Sequence, residues 1–461
     1  MRAGDVIATN DPWQGSGHIY DINVMRPVFK GERLIGYTMS ITHLPDIGGL
    51  GFSATARQVF EEGLRIPVWR IVEQGQVDHK LFDLIAANVR TPAQTLGDLH
   101  SNIACNEVGG RLLLEFMAEA GLDDLEAIAD AIVESSEQAI RGKIAEMPDG
   151  VYRSTFDIEG VHAPVRLACA VHIQGDAVEI DFDGTSAAVD VAINVPLAYA
   201  KAFAVYTFKC ITVPGLPNNQ GCVSPITVRA PSDCILNPLA PRPTGGRHII
   251  GHCVTPLLMG ALTQAVPGEV QADSGMLNLV NVQGKNDRDR EVSSIFFACG
   301  GFGAMNGVDG YPTLPSPTNM TGVPIEVWED LTSMTILRKR LLPDTGGAGR
   351  SRGGVGQEIV MRNDSGHPMT LSCLAAMTDF APRGFLGGSP GSLRRYEING
   401  DAVHPKGRHL LAPGDLLRIV EPGGGGFGPP GERAPERIRE DIRQGFVTLE
   451  GALRDYGVRI E

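Results

Sequence analysis

Two histidines and an aspartate carry the densest chemistry in this sequence. In the stretch Gly15-Ser-Gly-His-Ile-Tyr-Asp-Ile-Asn-Val24, His18 stands three residues before Asp21, directly after a glycine loop. His43 closes the next strand-like segment and opens the glycine-rich run HLPDIGGLG. Imidazole and carboxylate donors converging from rigid elements suit one divalent ion, Mn, Zn or Fe. Three such donors leave coordination positions open, which is the arrangement that polarises a carbonyl or activates water. The same residues also read as loop histidines satisfied by backbone carbonyls, and residue types alone leave both readings open. Asp46, three residues after His43, is a candidate catalytic base or a partner that orients a ligand. Asn10 and Asp11, ahead of Pro12, read as turn residues.

Other motifs offer less. The run Gly346-Gly-Ala-Gly-Arg-Ser-Arg-Gly-Gly354 carries Arg350 and Arg352 among its glycines, a candidate anion cradle made of backbone N–H groups and two guanidinium ions. Close backbone packing and positive-φ turns are the favoured reading of this run, of Gly300–Gly303 and of Pro422–Gly428. No GxxxxGK[ST] loop occurs, so ATP binding by a standard phosphate loop is not expected of this chain. No GxSxG elbow is present either. His248 and His252, four apart, share a helix face but lack the glutamate of HExxH, which favours packed or surface histidines.

The elements that must position the triad can be read from periodicity. Residues 22–29 and 34–42 read as two strands joined by the turn Lys30-Gly-Glu-Arg33. Ideal hairpin pairing about that turn sets residue 21 opposite 42, which brings Asp21 beside Thr42 and His43. Residues 79–88 read as a helix. From Pro92, apolar residues at Leu96, Leu99, Ile103, Val108, Leu112 and Phe116 predict a long helix that Gly121 caps. A second helix over about 122–146 is expected to fold back on it as an antiparallel helical hairpin. Strand texture begins at Gly150, residues 194–210 and 248–265 read as helical, and beyond 266 short strands alternate with glycines. The expected fold class is α+β, a multi-layer mixed fold with a helical hairpin region and glycine-rich β segments. Its segments are expected at 1–90 (metal-site hairpin and loops), 91–148 (helical hairpin), 149–265 (α/β core), 266–430 (glycine-rich β-region) and 431–461 (C-terminal helices).

Composition bounds the rest. The chain has 461 residues, 43% of them hydrophobic, and a formal net charge of -14. No run of five basic residues occurs, which argues against nucleic acid and anionic membrane surfaces as partners. No apolar stretch approaches the ~20 residues that span a bilayer. The eight cysteines form no Cys-x-x-Cys pair, and the N-terminus lacks a basic head and apolar run, so a cytoplasmic location is expected.

Taken together, GDVIATNDPWQGSGHIYDINVMRPVF, THLPDIGG, EEGLRIPVWRI, ANVRTPAQTLGDLHSNIACNEVGGRLL, TGGAGRSRGGVGQ and the tail from PGGGGFGPPGERAPERIRE onward resemble the hydantoinase B/oxoprolinase family. The resemblance runs in order from about residue 3 to the C-terminus. It implies a B-type subunit of an ATP-dependent cyclic amide or imide hydrolase, of the N-methylhydantoinase, 5-oxoprolinase or lactamase kind. A partner hydantoinase A-type ATPase subunit would bind ATP and phosphorylate the carbonyl oxygen of a small cyclic amide substrate, within a hetero-oligomer. The family's metal-ligand pattern falls on His18, Asp21 and His43. Related ketone carboxylase subunits, of the acetone and acetophenone type, and a non-catalytic assembly subunit are the alternatives. Family members begin further upstream, with a helix and a strand contributing another carboxylate; this sequence starts after that point, and an incomplete site is the expectation that follows.

Overall fold

The computed structural model describes residues 1–459, so the last two residues of the expected C-terminal segment 431–461 lie outside the described part. The fold is α+β, as the pattern implies, and its strands form four sheets.

The first sheet contains β1 (Val6–Thr9), β2 (Asp21–Lys30), β3 (Arg33–His43), β4 (Trp69–Glu73) and β5 (Gln76–Val77), in the order β3-β2-β1-β4-β5. The β2–β3 turn uses Gly31 at a φ of 63°, where a side chain would be strained. One correction to ideal pairing matters for the site. A bulge between Val28 and Phe29 adds a residue to β3, so Asp21 pairs with His43 itself rather than with Thr42. Four helices follow or interrupt this sheet: α1 (Val59–Glu62), α2 (His79–Asn88), α3 (Pro92–Glu119) and α4 (Glu126–Ile144). Helix α2 starts where the Asp78 carboxylate accepts the N–H groups of Lys80 and Leu81.

Helix α3 lies across β2 and β3. Its buried Asn106 donates to Val24 O at 3.1 Å and Ser40 Oγ at 2.9 Å, and Asn102 Oδ1 accepts from Thr42 Oγ1 at 2.8 Å. Asn102 and Asn106, one turn apart, therefore clamp the strand that ends in His43. Gly110 permits the close approach, since a Cβ there would stand 3.1 Å from Val28 Cγ2. The expected helical hairpin does not form. Helix α4 packs on the Gln220–Cys222 turn instead of along α3, and buries Ile140 and Ile144 while Ile128 and Ile132 face solvent.

The second sheet joins β6 (Gly150–Glu159), β7 (Pro164–Gln174), β8 (Ala177–Asp181) and β9 (Ile226–Arg229), with only β8 and β9 parallel. Helix α5 (Leu197–Thr212) packs on α7 (Val254–Leu262), which in turn covers β6 and β7; α6 (His248–Gly251) is one short turn just before α7. One buried cluster runs from Val6 through Ile140, Ile158 and Leu257 to Leu279. The boundaries expected at residues 90 and 148 thus mark changes of texture within a shared core.

The remaining strands form two facing sheets. One contains β10 (Leu277–Lys285), β11 (Glu291–Cys299), then, beyond α8 (Ile325–Thr332), β12 (Met334–Leu341) and β13 (Gln357–Asn363) of the other, followed by β14 (Met369–Leu374), β15 (Arg395–Ile398), β16 (Asp401–Ala402), β17 (Arg408–Leu411) and β18 (Leu416–Val420). Their orders are β11-β10-β14-β17 and β12-β13-β18-β15-β16, with Val280, Phe296, Met361 and Ile419 among the residues between them.

The glycine runs pack backbone against backbone. A Cβ on Gly301 would meet Gly354 O at 1.9 Å, and one on Gly353 would meet Gly424 O at 2.0 Å. Lack of a side chain is the requirement there; of the run 422–428, Gly428 alone has a positive φ. The polar terminal helices α9 (Pro435–Arg443) and α10 (Leu449–Tyr456) keep a small cluster of their own around Ile438, Val447 and Ala452.

Candidate metal centre

His18, Asp21 and His43 converge. One donor atom from each lies within 4.8 Å of the others, and among the described residues no other group of three or more His, Cys, Asp or Glu side chains does this. Asp21 and His43 are directly paired across the open end of the β2–β3 hairpin. His18 arrives from the loop before β2. Asn10 holds that loop, donating to Ile19 O at 2.7 Å and Leu64 O at 3.0 Å and accepting from Ile66 N at 2.6 Å.

The carboxylate of Asp21 is divided between two environments. Its Oδ2 accepts from Ser16 Oγ at 2.5 Å and from Arg247 Nη2 at 2.9 Å. Its Oδ1 faces the histidines, with His43 Nδ1 at 3.0 Å and His18 Nε2 at 2.7 Å. The His18 contact lacks hydrogen-bond geometry, and both ring nitrogens of this buried histidine are without a hydrogen-bond partner. A buried imidazole left unsatisfied beside a carboxylate is costly in isolation. A shared cation relieves that cost, so the donor set fits a divalent ion.

Electrostatics favour the same state. Burial, followed by the charge of Arg247, pushes His18 down to about 3, which leaves its imidazole neutral with a lone pair available. Burial alone would raise Asp21, but His18, His43 and Arg247 together hold its carboxyl well below the usual carboxylate range. Arg247, whose guanidinium lies 2.9 Å from Oδ2, supplies a permanent positive charge against Asp21.

Aromatic groups pack around the histidine rings on one side, while His43 stays exposed on the other. Tyr20 stacks on His43 with an interplanar angle of 14°, and Phe52 meets both histidine rings edge-on. On its other side Phe52 stacks with His248, whose Nε2 is buried without a partner. Burial also holds His248 well below its ordinary value. His252 donates to or accepts from Tyr199 Oη at 3.0 Å, and the Arg247 guanidinium lies 4.5 Å above the Tyr199 ring. The two helix histidines are packed, as their pattern implied, though His248 belongs to the wall of the centre. Ser16, Arg247 and Phe52 were not legible as site residues. Arg247 had a single hint in the sequence, its position after Thr244-Gly245-Gly246.

The remaining sequence candidates lie in other roles. Asp46 is fully buried and its oxygens accept from Gly48 N at 3.1 Å, from Arg90 Nη1 at 2.7 Å and from the Arg90 backbone N–H. Those bonds tie the loop after β3 to the end of α2, and they lend no support to a catalytic base. Arg350 pairs with Glu432 at 3.0 Å, and Arg352 is buried against Asp441 at 3.2 Å and the Phe446 ring. Arg352 thereby fastens α9 onto the glycine layers, and Arg350 pairs at the surface with Glu432 in the turn before α9, so both guanidinium groups have carboxylate partners. Their pairing follows from Glu432 and Asp441, which lie far along the sequence.

Comparison with known proteins finds relatives of the whole chain. The family model described as hydantoinase B/oxoprolinase matches residues 1–430. The B-type subunit of a putative D-/L-hydantoinase from Pseudomonas sp. (strain NS671) is 32% identical over 489 aligned residues, covering 100% of this chain and 82% of that protein. The crystal structure of an ATP-dependent caprolactamase from Pseudomonas jessenii superposes with a TM-score of 0.92 at 26% identity, over 100% of this chain and 83% of that one. A nucleotide-free acetone carboxylase superposes with a TM-score of 0.91 at 21% identity, over 100% and 69%, and shares the fold. No helix among the described residues is long and apolar enough to cross a membrane.

Proposed function

The chain belongs to the hydantoinase B/oxoprolinase family, and on that premise we propose that it is the B-type subunit of an ATP-dependent cyclic amide or imide hydrolase. The observation that carries the reading is the convergent triad of His18, Asp21 and His43, with the imidazole of His18 buried and unsatisfied and His43 open to solvent. An amide resists water because resonance spreads the nitrogen lone pair over the carbonyl. Phosphorylation of the carbonyl oxygen by an A-type ATPase subunit removes that protection and creates an electrophile for this chain to receive.

A divalent Mn, Zn or Fe ion held by His18, Asp21 and His43 would supply Lewis acidity and lower the pKa of a bound water. Around it, the chain's own residues do the positioning. Neutral His18 presents a ring lone pair, and Ser16 and Arg247 hold Asp21 Oδ2 so that Oδ1 faces the histidines. Tyr20 and Phe52 pack around the histidine rings and help bury His18, while His43 leaves one side of the centre open to solvent and so to a substrate. Edge strand β3 also exposes Tyr37, Met39 and Ile41 beside His43, a surface that supports work in a complex with the ATPase partner.

A ketone carboxylase subunit is the second reading. The acetone carboxylase likeness supports it at the level of fold, whereas the hydantoinase relative at 32% identity supports the hydrolase. One experiment separates them. The chain is co-expressed with an A-type ATPase subunit of the same family, and ring opening of hydantoins, caprolactam and 5-oxoproline is followed with ATP, alongside metal analysis. ATP-dependent ring opening without bicarbonate, about one ion per chain, and loss of both in His18→Ala and His43→Ala are expected. Turnover of ketones only with bicarbonate would replace the hydrolase by the carboxylase. A metal-free complex inert toward both substrate sets would leave an assembly subunit.

A further inference from the structure

A second built site lies where the second sheet meets the β14–β17 region. A cavity of about 460 Å³ opens there, and none of the metal-cluster residues lines it. Its floor contains two oppositely charged side chains that the fold buries and leaves unsatisfied. Lys406 is 1% exposed and its Nζ has no hydrogen-bond partner. Glu159 is 5% exposed and its Oε2 has none either. The two approach at 3.4 Å through Glu159 Oε1, wider than the 2.7–2.9 Å or so of a charge-assisted hydrogen bond.

The scaffold holds both groups in place. Glu159 ends β6, and its Oε1 accepts from Thr378 N at 2.9 Å. Lys406 lies in the turn between β16 and β17, where its N–H reaches His404 Nδ1 at 3.1 Å and the neighbouring Pro405 O and Gly407 O accept from Ala375 and Cys373. Arg394 also lines the cavity, but two nitrogens on Glu421 Oε2, at 2.7 and 3.0 Å, commit its charge. Lys406 is therefore the buried cation left for a ligand.

We propose that this cavity binds the zwitterionic head of an α-amino acid, carboxylate on Lys406 Nζ and ammonium on Glu159 Oε2. Three observations select that class. Both orphaned groups need a partner, one an acceptor and the other a donor. The pair is already neutral in sum, so a ligand of net charge would leave an uncompensated charge in a buried site, which a zwitterion avoids. Lys406 and Glu159 are adjacent, which matches charges separated by a single carbon and not the distant ends of an ω-amino acid.

Calorimetric titration of the full chain tests this with glycine and alanine as probes. Acetate and methylammonium serve as half-probes, and 6-aminohexanoate as the probe with separated charges. Glycine or alanine is expected to bind at least about tenfold more tightly than any of the three, and Lys406→Met and Glu159→Gln each to weaken it about tenfold or more. Glu159→Gln keeps the acceptor for Thr378, and competition by ligand-observed NMR on the unaltered chain holds if a variant misfolds. Acetate binding as tightly as glycine would reduce the site to a plain anion site and overturn the proposal. No saturable binding of either amino acid up to about 50 mM would do the same.

Discussion

Glu62 offers a sharp test of how the centre is held. It ends α1, is 2% exposed, and its Oε1 accepts from Thr244 N at 2.7 Å and Gly245 N at 2.6 Å. Those bonds set the turn that delivers Arg247 to Asp21. The other oxygen, Oε2, is buried without a partner. Burial outweighs the two N–H bonds and pushes the carboxyl from 4.5 up to about 8. A carboxyl whose folded value lies above its unfolded one holds its proton more tightly in the native chain. Its favourable contribution is complete below the unfolded value, declines as pH rises above it, and levels off beyond the folded value. At ~1.4 kcal/mol per tenfold change in proton affinity, the total amounts to roughly 5 kcal/mol, of which about 2–3 kcal/mol is lost between about pH 6 and pH 8.5. Glu62→Gln keeps the acceptor and removes the titration. Urea unfolding of both proteins across that range measures the difference in stability, in which contributions from the buried histidines cancel. Wild type is expected to lose about 2–3 kcal/mol relative to Glu62→Gln as pH rises. Parallel curves would refute the argument, since they would mean that burial does not control the proton on Glu62.

Three further perturbations follow from the same geometry. Asp21→Asn leaves Arg247 buried without its counter-charge, which should cost about 3–5 kcal/mol in chemical denaturation and abolish metal uptake. Gly17→Ala places a Cβ 2.8 Å from Arg247 Cδ at a φ of 95°, so a loss of about 1–3 kcal/mol is expected, with weakened metal binding in a competition titration. Arg394→Met strands Glu421 in the core, and about 3–5 kcal/mol of stability should disappear, while Arg394→Met with Glu421→Met should recover much of it.

The hairpin and its neighbours show how far periodicity reaches. The strand-like segments 22–29 and 34–42 and the glycine turn between them located β2 and β3, and helical spacing located α2 and α3 within a residue or two. The pairing register missed by one, because the bulge near Val28 adds a residue to β3 and leaves no mark in the pattern. Ile128 and Ile132 looked like one seam of a helical hairpin. They face solvent because α4 finds its apolar contacts on the Gln220–Cys222 turn, which no local pattern announces.

The sequence by itself was enough to bring Asp21 and His43 to one end of a hairpin, with His18 one short loop away, since two strands and a short turn confine them there. It was likewise enough to assign the glycine runs to close packing. Tertiary structure alone decided which charges remain free. Arg350, Arg352 and Asp46 are neutralised by Glu432, Asp441 and Arg90, whereas Lys406 Nζ and Glu159 Oε2 are buried and left without hydrogen bonds. It also decided that Arg247, brought from more than two hundred residues away, orients Asp21. A side chain's type and spacing are properties of the chain, but its burial and its partner depend on every segment that packs against it.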